Sequence, residues 1–217
     1  MSKAILFING EIDIDFCSSY IDKNNPSTPV FCADGAFNKI CESEKLLSRL
    51  VNIIGDGDSV IESPNHINKY ILISDQNSTD FEKSLDILYE KNYTDILVFG
   101  ASGGEMDHCL SNISIIMKYR HKINITFIDK YSYYFLLSPT NDIMNIKGKM
   151  VSLVPLFELK NINTSGCMFE ITNGNLSFGS NTGIRNHAIE NNISITYDSG
   201  DGLIFISHDN YHSHLEE

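Results

Sequence analysis

The alternation of short apolar runs with amphipathic segments constrains the fold of this chain more than any other feature. Five runs in the first half are almost continuously apolar: 3–8 (KAILFI), 29–33 (PVFCA), 51–55 (VNIIG), 69–74 (KYILIS) and 95–99 (DILVF). Continuous apolar runs are typical of strands that are covered on both faces in a parallel sheet. Because helical segments separate them, we expect an open, mainly parallel α/β sheet.

Two of the separating segments have the residue spacing of helices. In 78–91, apolar residues recur every three or four positions, and Thr79 with Glu82 forms a T-x-x-E capping box. The box predicts a helix start at Thr79. In 105–119, four apolar residues fall on one helical face: Met106, Leu110, Ile113 and Met117.

The character of the chain changes after about residue 130, where short β-rich runs such as KMVSLVPL and GLIFIS follow one another. Turn signals such as TNGN and DSGDG separate some of these runs. The pattern predicts two domains, an α/β domain over 1–130 and a smaller all-β domain over 131–217.

Charge and composition exclude several classes of protein. The net charge of -12 argues against a nucleic acid as partner, because nucleic-acid binding needs a basic surface. No apolar run reaches the roughly 18–20 residues of a membrane helix, so we expect no membrane partner. The five cysteines form no C-x-x-C pair and their number is odd, which favours a reduced, cytoplasmic chain.

Acidic residues follow the apolar runs at the points where strands are expected to end. In open α/β sheets, ligands bind at the carboxyl ends of the strands. Each acid alone has a simpler interpretation as a turn or helix-capping residue, but several carboxylates at one edge repel each other unless a cation offsets them. Oxygen ligands favour a hard ion, so we expect Mg²⁺. The residues concerned are Asp34, Asp56, Asp58, Asp75, Asp80 and Asp107.

One loop has the composition of a phosphate-binding site. The segment ASGG (101–104) directly precedes a predicted helix, and the free N–H groups at a helix N-terminus attract anions. Neither a complete G-x-x-x-x-G-K-[ST] nor a G-x-G-x-x-G after the first strand is present. The residues alone therefore predict Mg²⁺ with a phosphorylated ligand, and they leave the acceptor of any transferred phosphate open.

Four motifs, taken together, resemble those of the thiamine pyrophosphokinase family. They are CADGAFNKI (32–40), IIGDGDSV (53–60), SDQNSTDFEKSL (74–85) and GASGGEMDHCLSNI (100–113). The later GSNTGIRNHAIENNISITYDSGDGLIFIS (179–207) resembles the C-terminal part of the same family. The resemblance implies an α/β nucleotide-binding domain, a C-terminal β-sandwich that binds thiamine and dimerises, and transfer of the diphosphate group of ATP to thiamine. It also implies a homodimer.

The resemblance also implies roles for individual residues. The metal ligands would be Asp56, Asp58 and Asp80, and these three with Asp107 would be the catalytic residues. Thiamine and the phosphate chain would contact Gln76, Asp107, Arg185 and Asn186. The nucleotide side would be formed by Asp34, Gly35, Asn38, Lys83, Ser102, Gly103 and Gly104.

The chain departs from the family pattern at four positions. Ala36 and Phe37 stand where the family has Gly and Ala, Glu105 replaces its arginine, and Arg185 replaces its serine; the chain also has no Trp. Two alternative functions therefore stay open. One is a catalytically weakened homologue that only binds nucleotide or thiamine, and the other is a Mg²⁺-dependent nucleotide hydrolase that uses water as acceptor.

Overall fold

The computed structural model describes residues 2–57 and 68–210, and these form two compact units that divide between Lys130 and Tyr131. Within the described part of the first unit, six strands form a sheet in which every pairing is parallel, in the order β4-β3-β2-β1-β5-β6. The strands are β1 (Ser2–Phe7), β2 (Val30–Ala33), β3 (Leu50–Gly55), β4 (Tyr70–Leu72), β5 (Tyr93–Phe99) and β6 (Asn124–Ile128).

The five predicted strands correspond to β1–β5, and the reason for their apolar composition is visible in the core. Side chains on both faces of the sheet are buried: Ile5, Leu6 and Phe31 have no exposed surface. The ring of Phe7 stacks on that of Phe99 at 5.1 Å between centroids, across the β1–β5 pair. The prediction of a parallel α/β sheet is confirmed.

Helices connect the strands of this sheet. They are α1 (Ile14–Asn24), α2 (Phe37–Ile40), α3 (Glu44–Arg49), α4 (Asp80–Glu90) and α5 (Met106–Tyr119). The predicted capping box is confirmed, because the Thr79 hydroxyl accepts from the Glu82 N–H and the Glu82 carboxylate accepts from the Thr79 N–H. No helix in the described ranges has both the length and the apolar composition to cross a bilayer.

The apolar face predicted for α5 is not the face that the protein buries. Met106 is 70% exposed and Leu110 is 60% exposed, whereas Ile115, Ile116 and Tyr119 are buried. The helix carries two apolar stripes, and helical spacing alone does not decide which one packs against the sheet.

The second unit is rich in β-strands, as predicted, and the structure shows that they pair antiparallel. Among residues 131–210, the pairing order is β7-β13-β9-β12-β8, and β10 and β11 also pair with β9. Leu159, Ile162 and Ile195 are fully buried in its core. The strands are β7 (Ser132–Leu136), β8 (Thr140–Met144), β9 (Lys149–Ser165), β10 (Gly174–Ser177), β11 (Gly183–His187), β12 (Asn192–Thr196) and β13 (Ser199–Asn210).

Candidate functional site

A cavity of about 650 Å³ lies at the carboxyl ends of the strands in the first unit. Its walls include Asn9 and Gly10 after β1, Asp56 after β3, and Gly100 and Ala101 after β5. The strand order reverses between β1 and β5, since β2–β4 lie on one side of β1 and β5–β6 lie on the other. The cavity therefore occupies the switch point at which open α/β sheets bind their ligands.

Two glycines let the loops after β1 and β5 approach each other at this switch point. A Cβ on Gly10 would overlap the carbonyl oxygen of Gly100, and a Cβ on Gly100 would overlap that of Ile8. The Glu11 N–H also donates to the Ser102 carbonyl at 3.2 Å. These contacts fix the two loops against each other, and both glycines line the cavity.

A buried ammonium lies between two carboxylates in the cavity wall. Lys83 Nζ donates to Asp80 Oδ1 at 2.9 Å and lies 3.9 Å from Asp56 Oδ2, which also accepts from Gln76 Nε2 at 3.1 Å. The exposed fractions of the side chains are 4% for Lys83, 17% for Asp56 and 35% for Asp80. The structure thus brings together four of the predicted site residues.

The pKa of Lys83 is set by two opposing effects. Burial lowers it, but the hydrogen bond to Asp80 and the charges of Asp80 and Asp56 outweigh burial and raise the pKa above its ordinary value of 10.5. The ammonium is therefore charged at neutral pH. It partly offsets the repulsion between the two carboxylates.

Local sequence explains how α4 presents these groups. Thr79 caps the helix, so Asp80 lies in its first turn and Lys83 one turn later on the same face. The preceding loop is held by Asp75, whose carboxylate accepts from the Asn77 N–H at 3.0 Å and from the Ser78 hydroxyl at 2.6 Å. These hydrogen bonds hold the pKa of Asp75 below its usual value.

The oxygen ligands in the cavity suit a hard divalent cation. Asp56 and Asp80 offer carboxylate oxygens, and Gln76 offers a carboxamide oxygen. Mg²⁺ binds through one or two carboxylates and takes its remaining ligands from water and phosphate, so this set fits it. Asp58, the third predicted ligand, lies outside the described residues.

Asp34, which was expected to contact the nucleotide, is buried and is not part of the cavity lining. Its side chain has no exposed surface, and its Oδ2 accepts from the Gly57 N–H at 2.6 Å. Among the described residues, the cavity lining includes neither Asp34 nor its neighbours Gly35 and Asn38. Gly35 instead leaves room for Asn9, since a Cβ on it would lie 2.6 Å from Asn9 Nδ2.

The predicted phosphate loop is only partly in the cavity wall. Gly103 lines the cavity, whereas the Ser102 hydroxyl donates to Asp129 at 3.3 Å. Gly103 and Gly104 have φ values of +76° and +67°, a left-handed conformation that favours glycine. Helix α5 follows directly, so the free N–H groups of its first turn lie next to this loop.

The start of α5 carries three exposed side chains, those of Glu105, Asp107 and His108. Glu105 is acidic, whereas the family has an arginine at this position. Asp107 lines the cavity, and its Oδ1 accepts from the His108 N–H at 3.0 Å. The Glu105 carboxylate lies 3.5 Å from His108 Nε2. One ligand atom from each of the three side chains lies within 4.8 Å of the other two. Because all three side chains are exposed, and exposed acidic groups are common without an ion, we assign no metal to them.

Arg185 and Asn186 belong to the second unit, whereas the residues that line the cavity belong to the first. The Asn186 side chain holds the backbone of Phe169: its Oδ1 accepts from the Phe169 N–H at 3.1 Å and its Nδ2 donates to the Phe169 carbonyl at 2.7 Å. Arg185 has a φ of +58°, and its N–H donates to the Ser152 hydroxyl at 2.9 Å.

Sequence reasoning missed several polar residues of the cavity. Asn9 was overlooked although it is the first polar residue after β1, a position that the rule for strand ends already marks. Asn112 lines the cavity from the second turn of α5 and donates to the Ala101 carbonyl at 3.0 Å. Its spacing of four residues from His108, which also lines the cavity, was the signal, because residues four apart share a helical face.

Comparisons with known proteins agree along most of the chain. The model of the thiamin pyrophosphokinase catalytic domain matches residues 22–127, and that of the thiamin pyrophosphokinase vitamin B1 binding domain matches residues 135–200. Thiamine pyrophosphokinase of Bacillus subtilis is 28% identical over 160 residues, which cover 69% of this chain and 75% of the relative. Thiamin pyrophosphokinase 1 of Caenorhabditis elegans is 26% identical over 159 residues, 67% of this chain and 65% of the relative.

Solved structures show the same fold. The crystal structure of thiamine pyrophosphokinase from Bacillus subtilis matches with a TM-score of 0.79 and 23% identity, covering 95% of this chain and 99% of that chain. The structure of yeast thiamin pyrophosphokinase matches with a TM-score of 0.78 and 19% identity, covering 95% and 86%. With both domain models matched in order, the chain belongs to the thiamin pyrophosphokinase family, whose enzymes transfer the diphosphate group of ATP to thiamine and give thiamine diphosphate and AMP.

Proposed function

We propose that the cavity at the β1–β5 switch point is where this chain transfers diphosphate from ATP to thiamine. The observation that carries the proposal is the group formed by Asp56, Gln76, Asp80 and Lys83, in which two carboxylates and one buried ammonium meet in the cavity wall. Diphosphate transfer needs positioning and charge stabilisation more than covalent catalysis by the protein. A wall of fixed charges supplies both.

Asp56 and Asp80 would hold Mg²⁺ in this cavity, together with Asp58 if the turn after β3 directs its carboxylate there. A bound Mg²⁺ supplies positive charge to phosphate oxygens and to the leaving group. Lys83 would add a second positive charge to the same wall, because its ammonium already lies within 4 Å of both carboxylates.

The phosphate chain of ATP would lie against Gly103 and the start of α5. Gly103 lines the cavity without a side chain, so the backbone can approach phosphate closely. The first-turn N–H groups of α5 are directed towards the loop and carry the positive end of the helix dipole. Glu105 weakens this attraction, since its negative charge stands at the same helix end.

In the transfer, the hydroxyl oxygen of thiamine forms a bond to the β-phosphorus of ATP, and the bond between that phosphorus and the bridging oxygen of AMP breaks. The hydroxyl proton must leave during this step. We assign its acceptance to the Asp107 carboxylate, which lines the cavity and is exposed to substrate. Asp80 is the second candidate, although its Oδ1 already accepts a hydrogen bond from Lys83.

The second unit would hold the thiamine ring. Phe169 is 69% exposed while its backbone is held by Asn186, so it presents a fixed aromatic surface in a chain without Trp. Phe157 and Phe178 are 82% and 71% exposed in the same unit. Exposed aromatic side chains of this kind support a homodimer that covers part of this surface.

Product analysis tests the proposed function. The chain is incubated with ATP and Mg²⁺, with and without thiamine, and AMP and inorganic phosphate are measured. We expect AMP and thiamine diphosphate in equal amounts, only when thiamine is present. Release of phosphate without thiamine would favour a hydrolase, and binding of ATP without either product would favour a homologue that only binds its ligands.

A further inference from the structure

We propose that Asp34 is a positioning residue for the turn that carries Asp56, and that it does not contact the nucleotide. The inference rests on the proposed function, because it assigns Asp34 a role in holding the cation site of the same cavity. It concerns a buried carboxylate that neither the transfer step nor the cavity lining uses.

The carboxylate of Asp34 connects the loop after β2 to the turn after β3. Its Oδ2 accepts from the Gly57 N–H at 2.6 Å, and its backbone N–H donates to the Ile54 carbonyl at 2.9 Å. Gly57 directly follows Asp56, so the bond fixes the peptide that links the two residues. A hydrogen bond in the buried interior is stronger than one in water, because the local dielectric constant is low.

Gly55, at the end of β3, leaves room for the Asp34 side chain. A Cβ on Gly55 would overlap the Asp34 Cβ and would lie 3.0 Å from its Oδ2. Gly55 is buried at the end of β3, and unlike Gly57 it does not have a positive φ. Its backbone conformation therefore does not require glycine. Close approach of Asp34 is therefore the reason for glycine at this position.

The burial of Asp34 makes direct contact with ATP incompatible with the observed geometry. A nucleotide in the cavity would meet Asp56 and Ala33, which line it, whereas Asp34 is outside the lining and has no exposed surface. Without its carboxylate, the Gly57 N–H loses an acceptor and the turn is free to move Asp56 away from Lys83 and Gln76. Metal affinity should fall as a result, while nucleotide affinity should not.

The test separates cation affinity from nucleotide affinity. Mn²⁺ binding is measured by electron paramagnetic resonance, and AMP binding is measured by calorimetry without metal, for wild type, Asp34→Ala and Asp34→Asn. Loss of a group that orients a metal ligand typically weakens metal affinity about 10–100-fold, so we expect that range for Asp34→Ala. The dissociation constant of AMP should stay within about threefold of wild type, and Asp34→Asn, which keeps an acceptor oxygen, should recover part of the Mn²⁺ affinity.

Two further variants keep the test decisive. Gly55→Ala displaces Asp34 without removing it and should weaken Mn²⁺ binding in the same direction, which holds even if Asp34→Ala does not fold. Asp13→Ala is the control: it removes a carboxylate that accepts from the Phe16 N–H at 3.0 Å at the start of α1. This variant should be less stable than wild type but should bind Mn²⁺ with unchanged affinity.

Weaker AMP binding with unchanged Mn²⁺ affinity in Asp34→Asn and Gly55→Ala would overturn the inference and make Asp34 a nucleotide contact. An unchanged Mn²⁺ affinity in these two variants would also overturn the inference. The proposed function would still stand in that case, provided that the wild-type protein forms AMP only when thiamine is present. Failure of the wild-type chain to bind Mn²⁺ would instead count against the proposed cation site.

Discussion

Replacement of Lys83 by methionine should destabilise the protein in a way that Mg²⁺ reverses. The substitution keeps the length of the side chain and removes the charge that lies 2.9 Å from Asp80 and 3.9 Å from Asp56. Breaking a fully buried ion pair costs about 3–5 kcal/mol, and breaking an exposed one costs at most about 1 kcal/mol. Because Lys83 is buried while Asp80 is 35% exposed, we expect a loss of about 2 kcal/mol in the free energy of unfolding in EDTA.

The assay is urea unfolding of wild type and Lys83→Met, in EDTA and in saturating Mg²⁺. A cation bound to the folded state at 100 times its dissociation constant stabilises it by about 2.7 kcal/mol, so Lys83→Met in saturating Mg²⁺ should be at least as stable as wild type in EDTA. Lys118→Met is the matched control. Lys118 also forms an ion pair, with Glu82 at 2.7 Å, but it is 65% exposed, so its loss should destabilise the protein much less than the loss of Lys83, with or without Mg²⁺. Equal stability of wild type and Lys83→Met in EDTA would refute this reasoning.

Three further predictions concern the surroundings of the cavity. The pKa of Glu82 lies below its usual 4.5, chiefly because Lys118 donates a hydrogen bond to its carboxylate. Wild type should therefore be more stable than Lys118→Met above about pH 4.5, and this difference in stability should vanish as the pH falls through the lowered pKa. Urea unfolding of both proteins at several pH values measures the difference. Gly10→Ala should lower thiamine-dependent AMP formation at least about 10-fold, because its Cβ overlaps the Gly100 carbonyl; wild-type rates would contradict the close contact of the two loops. Glu105→Arg should lower the KM for ATP about 3-fold or more, and an unchanged KM would show that this position does not face phosphate.

The positions of the strands could be predicted because a strand covered on both faces must be apolar throughout. The acids at the strand ends followed from the same rule, and the structure places Asp56 and Asp80 beside one cavity. Helix α1 could not be predicted in this way, because its start, EIDID, alternates apolar and acidic residues like a strand, and the helix depends on Asp13 as its cap.

The orientation of individual polar side chains was beyond the sequence. Asp34 follows a buried strand as the other acids do, yet it points into the protein because the turn after β3 offers it the Gly57 N–H. Asn186 likewise bonds to Phe169, 17 positions earlier, a contact that exists only once β11 is paired in its sheet. Long-range hydrogen bonds of this kind depend on the folded backbone and leave no local pattern.

The central claim, that Asp56 and Asp80 carry the transfer as ligands of a cation, is tested most directly by the turnover of Asp56→Asn and Asp80→Asn. Each variant is compared with wild type in thiamine-dependent AMP formation at saturating ATP, thiamine and Mg²⁺. We expect kcat to fall on the order of 10²-fold or more in each, which corresponds to about 3 kcal/mol of lost transition-state stabilisation. Turnover close to that of wild type in both variants would contradict the claim.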